Sequence, residues 1–261
     1  MDDHAEFLRE RQTNSAAMAK DGKVAELTRD WIHATAEHKY SYNFDWCGLP
    51  IIQYPQDMVA MQEIIWDVKP QVIVETGIAR GGSLVFYSSL LGMLEDAGLA
   101  TDTRVVGVDI DIRPHNRTRI ESHPLAKRIE LLQGGSVDDS TVAAVWDLIG
   151  DRSPALVCLD SNHTHDHVLA ELERYAPMVD VGSYLVVFDT VIEFMPEDAY
   201  PNRPWGVGDN AYTAVQAFLQ AVGEGKITDR QGREMAFETN FDIDNRLLIS
   251  VAPSGYLKRV A

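Results

Sequence analysis

The sequence predicts an α/β fold, a doubly wound and mostly parallel sheet with helices on both faces. Three observations lead to this fold class. Short β-branched runs alternate with helical segments along most of the chain. These runs are almost continuously apolar, as in strands that are covered on both faces. Finally, 261 residues with 45% hydrophobic content are enough for one large core.

The individual elements follow from these runs and from the segments between them. Strands are predicted at 71–76, 104–109, 129–133, 155–159 and 184–188. Helices are predicted at about 82–97, 114–127, 139–149, 165–177 and 210–222. The last two apolar runs, 234–238 and 246–251, have no long helix between them. They predict an antiparallel pair of strands at the C-terminal edge of the sheet.

The N-terminal part of the chain has a different pattern. Residues 1–40 are rich in charge and alanine with helical spacing, and they predict a helical extension. Residues 41–57 are aromatic and contain prolines, and they predict an ordered loop that leads into a helix capped by Asp57. We therefore divide the chain into an extension with its aromatic loop, residues 1–56, and a cofactor-binding domain, residues 57–261.

Composition excludes several classes of function. A formal charge of −17 argues against nucleic-acid binding, which needs clustered basic side chains. The basic cluster that does occur is expected to be a solvated helix face; it comprises Arg113, Arg117, Arg119, Lys127 and Arg128. Two distant cysteines, Cys47 and Cys158, predict no disulfide framework. No apolar stretch suits a signal peptide or a membrane span, so a cytoplasmic protein with no membrane partner is expected.

The carboxyl ends of the predicted strands carry an unusual number of acidic residues. In open α/β sheets, ligands bind in the crevice beyond these ends. Four of the five strands end in a carboxylate: Glu75, Asp109, Asp160 and Asp189. The sequence therefore predicts that the functional site lies at this edge of the sheet.

A glycine-containing loop follows the first strand. Gly77-x-x-x-Gly81-Gly82 allows a tight turn and a close backbone approach, and the next helix offers free N–H groups. Glu75 would repel a pyrophosphate, but it suits a cationic ligand such as the methionine moiety of S-adenosylmethionine. Glycines at such a turn can also serve packing alone. The predicted cofactor contacts here are Glu75, Gly77, Arg80, Gly82 and Ser83.

Two further cofactor contacts are predicted from the next strand ends. Asp109 directly ends the second strand and is placed to accept hydrogen bonds from ribose hydroxyls. Asp111 has the same chemistry, although an acidic helix cap explains it better. Ser136 is predicted on the adenine side of the cofactor, and the alternative is that it caps the following helix.

The fourth and fifth strands predict a metal site. Asp160 and Asp189 end these strands and would meet at one edge of the crevice if the strands are neighbours. Mg²⁺ prefers such oxygen ligands, while helix capping is the alternative role. His163, His165 and His167 raise the possibility of a transition-metal site, but on a helix they would splay apart. His163 is better suited to act as a general base, since histidine accepts a proton near neutral pH.

The motifs resemble the cephalosporin hydroxylase family, which has the class I methyltransferase fold and includes sugar O-methyltransferases. The resemblance covers about residues 45–258, and its matching segments are 48–57, 75–83, 107–111, 159–165 and 247–253. It implies Glu75, Gly77 and Asp109 as cofactor contacts and Asp160 as a Mg²⁺ ligand; Asp160 is also predicted to contact the cofactor. It also implies Asp189 as a Mg²⁺ ligand and His163 as the base.

At one position the chain departs from this family. Relatives often have Glu-Asp or Asp-Asn at the end of the fifth strand, whereas this chain has Phe188-Asp189-Thr190. The third position on the metal is therefore expected to be filled by Thr190, by Glu193 or by a water in place of a protein ligand. No two-histidine-one-carboxylate pattern indicates oxygenase iron, despite the family name.

The predicted function is Mg²⁺-assisted methyl transfer from S-adenosylmethionine to a hydroxyl of a sugar or another small-molecule diol. A glycosylated acceptor and a homo-oligomer are expected. The aromatic, Pro-rich segment 194–209 is predicted to wall the acceptor pocket, with Trp205 against a sugar, or else to be a structural loop. The alternatives are a nicotinamide-dependent oxidoreductase, which Glu75 argues against, and a non-catalytic partner subunit that binds the cofactor.

Overall fold

The N-terminal part of the chain consists of helices and a small hairpin. A computed structural model describes residues 2–261. It begins with helices α1 (Asp3–Lys20) and α2 (Gly22–Ala36), the strands β1 (Phe44–Trp46) and β2 (Leu49–Ile51), and helix α3 (Pro55–Val68). Asp2 and Asp21 cap the first two helices by accepting hydrogen bonds from backbone N–H groups. The strands β1 and β2 form an antiparallel hairpin within the predicted aromatic loop.

Alternating strands and helices follow, as predicted. They are β3 (Val72–Thr76), α4 (Gly82–Asp96), β4 (Arg104–Asp109), α5 (Pro114–Glu121), β5 (Ile129–Gln133), α6 (Asp139–Ile149), β6 (Ala155–Leu159), α7 (His165–Tyr175), β7 (Tyr184–Val187), α8 (Ala211–Gly223), β8 (Phe237–Thr239), α9 (Phe241–Leu247) and β9 (Tyr256–Arg259). The sheet order is β5-β4-β3-β6-β7-β9-β8. Strands β3 to β7 are parallel, and β9 and β8 pair antiparallel at one edge. The predicted fold class is confirmed.

The central strands are buried on both faces. Every residue of β3, β6 and β7 is buried, with Ile73 in one hydrophobic cluster and Val72 and Val74 in the other. Burying each such branched side chain stabilises the fold by about 1.5–3 kcal/mol. The continuously apolar sequence of these strands is therefore a consequence of the helical layers on both sides of the sheet.

One strand of the C-terminal edge pair is wrongly predicted. The first predicted run overlaps β8, but residues 246–251 form the end of α9 and an irregular segment, while the second strand is β9. The run is apolar because Val251 is buried in the same hydrophobic cluster as Ile64 of α3, and Leu247 and Ile249 pack against that cluster. Burial against a helix therefore gave these residues the appearance of a strand.

Asp57 is not the N-cap of α3, which corrects a second prediction. The cap residue is Tyr54, and Pro55 opens the helix, where its fixed φ and missing N–H cost nothing. Asp57 lies inside the first turn and is fully buried. It accepts hydrogen bonds from Ser250, Val251 and the Tyr256 hydroxyl, and so joins α3 to the C-terminal strand region.

The basic cluster is only partly a solvated face. Arg117 pairs with Glu121 on the surface, but Arg128 is 8% exposed and forms an ion pair with Glu95. The hydrogen bond from Arg128 lowers the pKa of Glu95 to about 2. Both cysteines are free. Within residues 2–261, none of the helices has the length and apolarity needed to cross a membrane.

Candidate active site

The crevice lies where the strand order reverses, between β3 and β6. Gly77 follows β3 with a positive φ of 81°, and a Cβ at this position would lie 2.1 Å from the backbone oxygen of Asp160. Only glycine fits here, because the chain segments that leave β3 and β6 touch directly. The predicted glycine loop is therefore placed at the position where sheets of this kind bind their ligands.

A second glycine lets the hairpin close one side of the crevice. Gly82 is the first residue of α4, and a Cβ there would lie 2.2 Å from the carbonyl oxygen of Pro50. Strand β2 of the hairpin thus stands directly over the cofactor loop. The residues that line the small cleft between them are Pro50, Ile52, Gln53, Gly77, Ile78, Ala79, Arg80, Gly82, Ser83 and Asp160.

Glu75 is a fully buried carboxylate beneath this cleft. Its Oε2 accepts a hydrogen bond of 2.5 Å from Ser83, whereas its Oε1 has no partner among residues 2–261. Burial, reinforced by the negative charge of Asp109, raises the pKa of Glu75 to about 8, although the hydrogen bond from Ser83 and the nearby Tyr87 hydroxyl oppose the shift. A buried carboxylate with one oxygen unpaired fits a cationic ligand group.

Asp109 contacts the cofactor loop, and Asp111 does not. Asp109 accepts hydrogen bonds from the backbone N–H of Ile78 at 3.1 Å and of Asp111 at 2.9 Å. The side chain of Asp111 is 70% exposed and lies 3.7 Å from Arg113. These contacts favour Asp109 as the ribose contact.

The remaining predicted cofactor contacts lie on either side of the cleft. Arg80 lines it with an exposed side chain, where it can meet a carboxylate. Ser136 is buried, and its hydroxyl lies 3.1 Å from Nε2 of His167. The Ser136 hydroxyl thus has a partner within the protein, and its adenine contact stays a prediction.

The acidic ends of β6 and β7 meet, as their adjacent parallel pairing requires. Ligand atoms of Asp160, His163 and Asp189 all lie within 4.8 Å of one another. Nε2 of His163 is 3.0 Å from Oδ2 of Asp189. Asp189 holds a left-handed φ of 59°, which aspartate tolerates better than most residues and which is common at functional sites.

The electrostatics of this group favour a cation. Burial raises the pKa of Asp160 well above its usual range, and the negative charges of Asp189 and Glu75 raise it further. Two mutually repelling carboxylates beside an imidazole make a donor set that a divalent cation would stabilise. The residues present therefore fit Mg²⁺.

The other candidate metal ligands have partners elsewhere. The imidazole of His165 lies 2.8 Å from the hydroxyl of Thr213, and that of His167 lies beside Ser136, so the three histidines splay apart as expected. Thr190 is buried and donates to the carbonyl of Pro253 at 2.7 Å. Glu193 accepts hydrogen bonds from Gly208 and Asn210. These contacts explain Thr190 and Glu193 without a metal, and the third ligand stays a prediction.

Three aromatic side chains lie near the metal-ligand group. The Trp205 ring packs edge-on against His163 at 4.8 Å between centroids. Burial, followed by nearby acidic groups that include Asp189, raises the pKa values of Tyr54 and Tyr200 to about 12. The predicted segment 194–209 thus reaches the site through Tyr200 and Trp205.

Sequence reasoning missed Gln53, Tyr54 and Tyr200 as site residues. Gln53 and Tyr54 belong to a quoted motif, residues 48–57, to which only a helix cap had been assigned. Their proximity to the crevice depends on the path of the hairpin over α4. No spacing in the sequence reveals that path.

Comparison with solved structures identifies the fold. A CmcI structure with Mg–SAM matches with a TM-score of 0.54, at 20% identity over 84% of this chain and 78% of that chain. A CmcI structure with SAH matches with a TM-score of 0.55, at 21% identity over 84% and 83% of the two chains. The fold is thus that of a class I, Rossmann-like methyltransferase.

Sequence comparison gives the family. The chain is 26% identical over 232 residues to the rhamnosyl O-methyltransferase of Mycobacterium tuberculosis strain H37Rv, covering 85% of this chain and 83% of the relative. It is 28% identical over 192 residues to the enzyme of the same name from Mycobacterium leprae, covering 69% and 75%. Residues 38–260 match the family model described as rhamnosyl O-methyltransferase/CmcI, so the chain belongs to this family. The predicted family and the predicted class, an S-adenosylmethionine-dependent O-methyltransferase, are confirmed.

Proposed function

We propose that this chain transfers the methyl group of S-adenosylmethionine to one hydroxyl of a sugar diol, with Mg²⁺ bound between Asp160 and Asp189. The observation that carries the proposal is the grouping of Asp160, His163 and Asp189 next to the buried Glu75. The names of the relatives, rhamnosyl O-methyltransferase, support a sugar as the acceptor.

The methyl donor is held along the carboxyl ends of β3 and β4. The unpaired oxygen of Glu75 accepts from the ammonium group of the donor, and Arg80 meets its carboxylate. Asp109 accepts from the ribose hydroxyls, and Gly77 and Gly82 keep the loop free of side chains. The unpaired oxygen of Glu75 favours this cofactor over a dinucleotide, whose pyrophosphate a carboxylate would repel.

The acceptor lies beside the metal ligands. When bound, Mg²⁺ lowers the pKa of a hydroxyl that it contacts. Asp160 and Asp189 would hold the ion, and Trp205, Tyr54 and Tyr200, which lie near these residues, would wall the acceptor pocket. Glycosylated acceptors fit these walls, because sugars pack against aromatic faces and bond to tyrosine hydroxyls. Homo-oligomer formation and a cytoplasmic location stay predictions.

His163 is the proposed base. The carboxylate of Asp189 can only accept, so the 3.0 Å contact places the imidazole proton on Nε2 and orients the ring. The lone pair on Nδ1 then takes the proton of the acceptor hydroxyl. The acceptor oxygen forms its bond to the methyl carbon as the carbon–sulfur bond breaks, and S-adenosylhomocysteine leaves. Because methyl transfer needs little covalent help, orientation supplies most of the rate enhancement.

The test is an activity assay with rhamnosylated and other glycosylated acceptors, S-adenosylmethionine and Mg²⁺. Methylated product should form, and EDTA should abolish it. His163→Ala should lower turnover about a hundredfold or more while S-adenosylhomocysteine affinity, measured by calorimetry, stays near that of the wild type. Turnover that persists in EDTA would exclude the metal, and unchanged turnover in the His163 variant would exclude it as the base.

A further inference from the structure

Gln53 is a buried polar side chain in the cleft to which the methyl-transfer mechanism assigns no part. It lies between the hairpin and α3, is 6% exposed, and lines the cleft together with the cofactor loop. Its Nε2 is 3.5 Å from Oδ2 of Asp160, a long hydrogen bond. Its Oε1 is buried and has no partner among residues 2–261. Leaving such a buried acceptor unpaired is unfavourable.

The hairpin that precedes Gln53 is fixed to the body of the protein. Trp46 donates from Nε1 to the hydroxyl of Ser89 on α4 at 3.1 Å, and its ring packs edge-on against Phe86. The imidazole of His123 lies 3.0 Å from the carbonyl oxygen of Cys47 at the hairpin turn. With the close approach of Pro50 to Gly82 described above, these contacts hold Gln53 in one position over the cleft. The unpaired oxygen of Gln53 is therefore held at a defined position in the site.

The orientation of the Gln53 amide follows from its neighbour. With the proposed cation bound, the Asp160 carboxylate is ionised and only accepts hydrogen bonds, so the NH₂ end of the amide faces Asp160 and the carbonyl end is left for another donor. Two buried acceptors near Asp160 thus lack donors: Oε1 of Gln53, whose amide contacts Asp160, and Oε1 of Glu75, whose charge raises the pKa of Asp160. A ligand with several N–H donors and a positive charge matches this pair.

We propose that Gln53 completes the methyl donor's site from outside the central sheet: its Oε1 accepts a hydrogen bond from the donor's ammonium group, and its NH₂ positions Asp160. The inference rests on the proposed function, because it assumes that S-adenosylmethionine occupies the crevice. An ammonium group carries three N–H donors, and Glu75 takes one of them in the mechanism above. Gln53 takes a second, which couples donor binding to the orientation of a metal-ligand carboxylate.

The test compares two ligands on two variants by isothermal titration calorimetry in metal-free buffer with EDTA. S-adenosylhomocysteine carries the ammonium group, whereas 5′-methylthioadenosine keeps the adenosine end and lacks the amino-acid end. Gln53→Met removes both amide contacts at similar length. Gln56→Met is the matched control, because Gln56 also has a buried, unpaired Oε1 three residues further on and does not line the cleft.

Gln53→Met should weaken S-adenosylhomocysteine binding about tenfold and leave 5′-methylthioadenosine binding within about twofold of the wild type. Gln56→Met should change neither affinity. If Gln53→Met does not fold, Gln53→Ala should give the same selective loss. Equal losses for both ligands, or no loss, would overturn the role of Gln53. A loss that occurs only when Mg²⁺ is added would assign Gln53 to the cation instead. If the wild type binds no S-adenosylhomocysteine, the proposed function itself fails.

Discussion

Two regions of the molecule contain buried or partly buried carboxylates, and they differ in how those carboxylates are paired. Asp57 accepts three hydrogen bonds, from Ser250, Tyr256 and the backbone of Val251. Burial raises its pKa to only about 6, because these hydrogen bonds favour the ionised form. In the crevice, Glu75 keeps an unpaired oxygen and a pKa of about 8, and the pKa of Asp160 is raised well above its usual range.

The difference separates a structural joint from a binding site. The bonds to Asp57 tie α3 to the C-terminal segment, so its carboxylate has no need of a ligand. Holding Glu75 and Asp160 near one another lowers the stability of the ligand-free protein. A cationic ligand and a divalent ion would offset this loss of stability. Substitutions in the first region should therefore change stability, and substitutions in the second should change binding and turnover.

The largest effect is expected at Asp160. Asp160→Asn should lower turnover about a thousandfold or more, because it removes a charge that the proposed cation requires. Its unfolding free energy should fall by no more than about 1 kcal/mol, since the ionised group is repelled by Asp189 in the ligand-free protein. Kinetics and urea unfolding measure the two quantities. A marked loss of stability would place Asp160 with the structural carboxylates.

The opposite pattern is expected at Asp57. Asp57→Ala leaves three donors without an acceptor and should lower the unfolding free energy by about 3 kcal/mol in urea denaturation. Affinity for S-adenosylhomocysteine per folded molecule should be unchanged. Asp57→Asn is the control: two hydroxyls can rotate to accept from its amide, so it should keep at least half of the lost stability. Selective loss of S-adenosylhomocysteine affinity in Asp57→Ala would show that Asp57 contributes to the binding site and is not only a structural carboxylate.

The sequence was sufficient for the fold and for the position of the crevice, because both follow from local patterns. Apolar runs predicted β3 to β7, and the acidic residues after them predicted the meeting of Asp160 and Asp189. The buried partners of Asp57 could not be predicted, since Ser250 and Tyr256 are almost two hundred residues away along the chain. For the same reason the apolar run 246–251 was mistaken for a strand.

Residues that reach the site from outside the sheet were also beyond prediction. Gln53 and Tyr54 arrive through the hairpin, whose approach to Gly82 depends on tertiary packing. Glu75 was predicted as a ligand contact from its type and position, but the pairing state of each oxygen is visible only in the structure. Chemical type and strand position can be predicted from a sequence, whereas unpaired atoms cannot.

A pH-dependent effect is expected at Glu75. Its pKa is raised from 4.5 to about 8, so folding favours the protonated form, and ionisation destabilises the protein as pH rises through this window. Glu75→Gln should therefore raise the unfolding free energy of the ligand-free protein by at least about 2 kcal/mol at pH 8. Near pH 4.5 the gain should vanish, because the protonated carboxyl and the amide have similar hydrogen-bonding needs.

Chemical denaturation of both proteins from pH 4.5 to pH 9 measures this dependence. The same substitution should weaken S-adenosylhomocysteine binding at pH 8, so stability and affinity change in opposite directions. The matched control is Glu63→Gln, whose carboxylate pairs with Arg246 and is 40% exposed. A gain of stability that does not depend on pH would show that Glu75 is not buried as an unpaired charge.

The smallest effect is expected at Asp109. This carboxylate is intermediate between the structural carboxylate Asp57 and the ligand-binding carboxylates of the crevice. It orders the cofactor loop through the N–H groups of Ile78 and Asp111, and it has lone pairs left for ribose hydroxyls. Asp109→Asn keeps one acceptor oxygen, so S-adenosylhomocysteine affinity should fall about fivefold with little change in stability. Asp111→Asn, at an exposed position, should change affinity less than about twofold by calorimetry. The reverse ranking would assign the ribose contact to Asp111 and leave Asp109 as a structural residue of the loop.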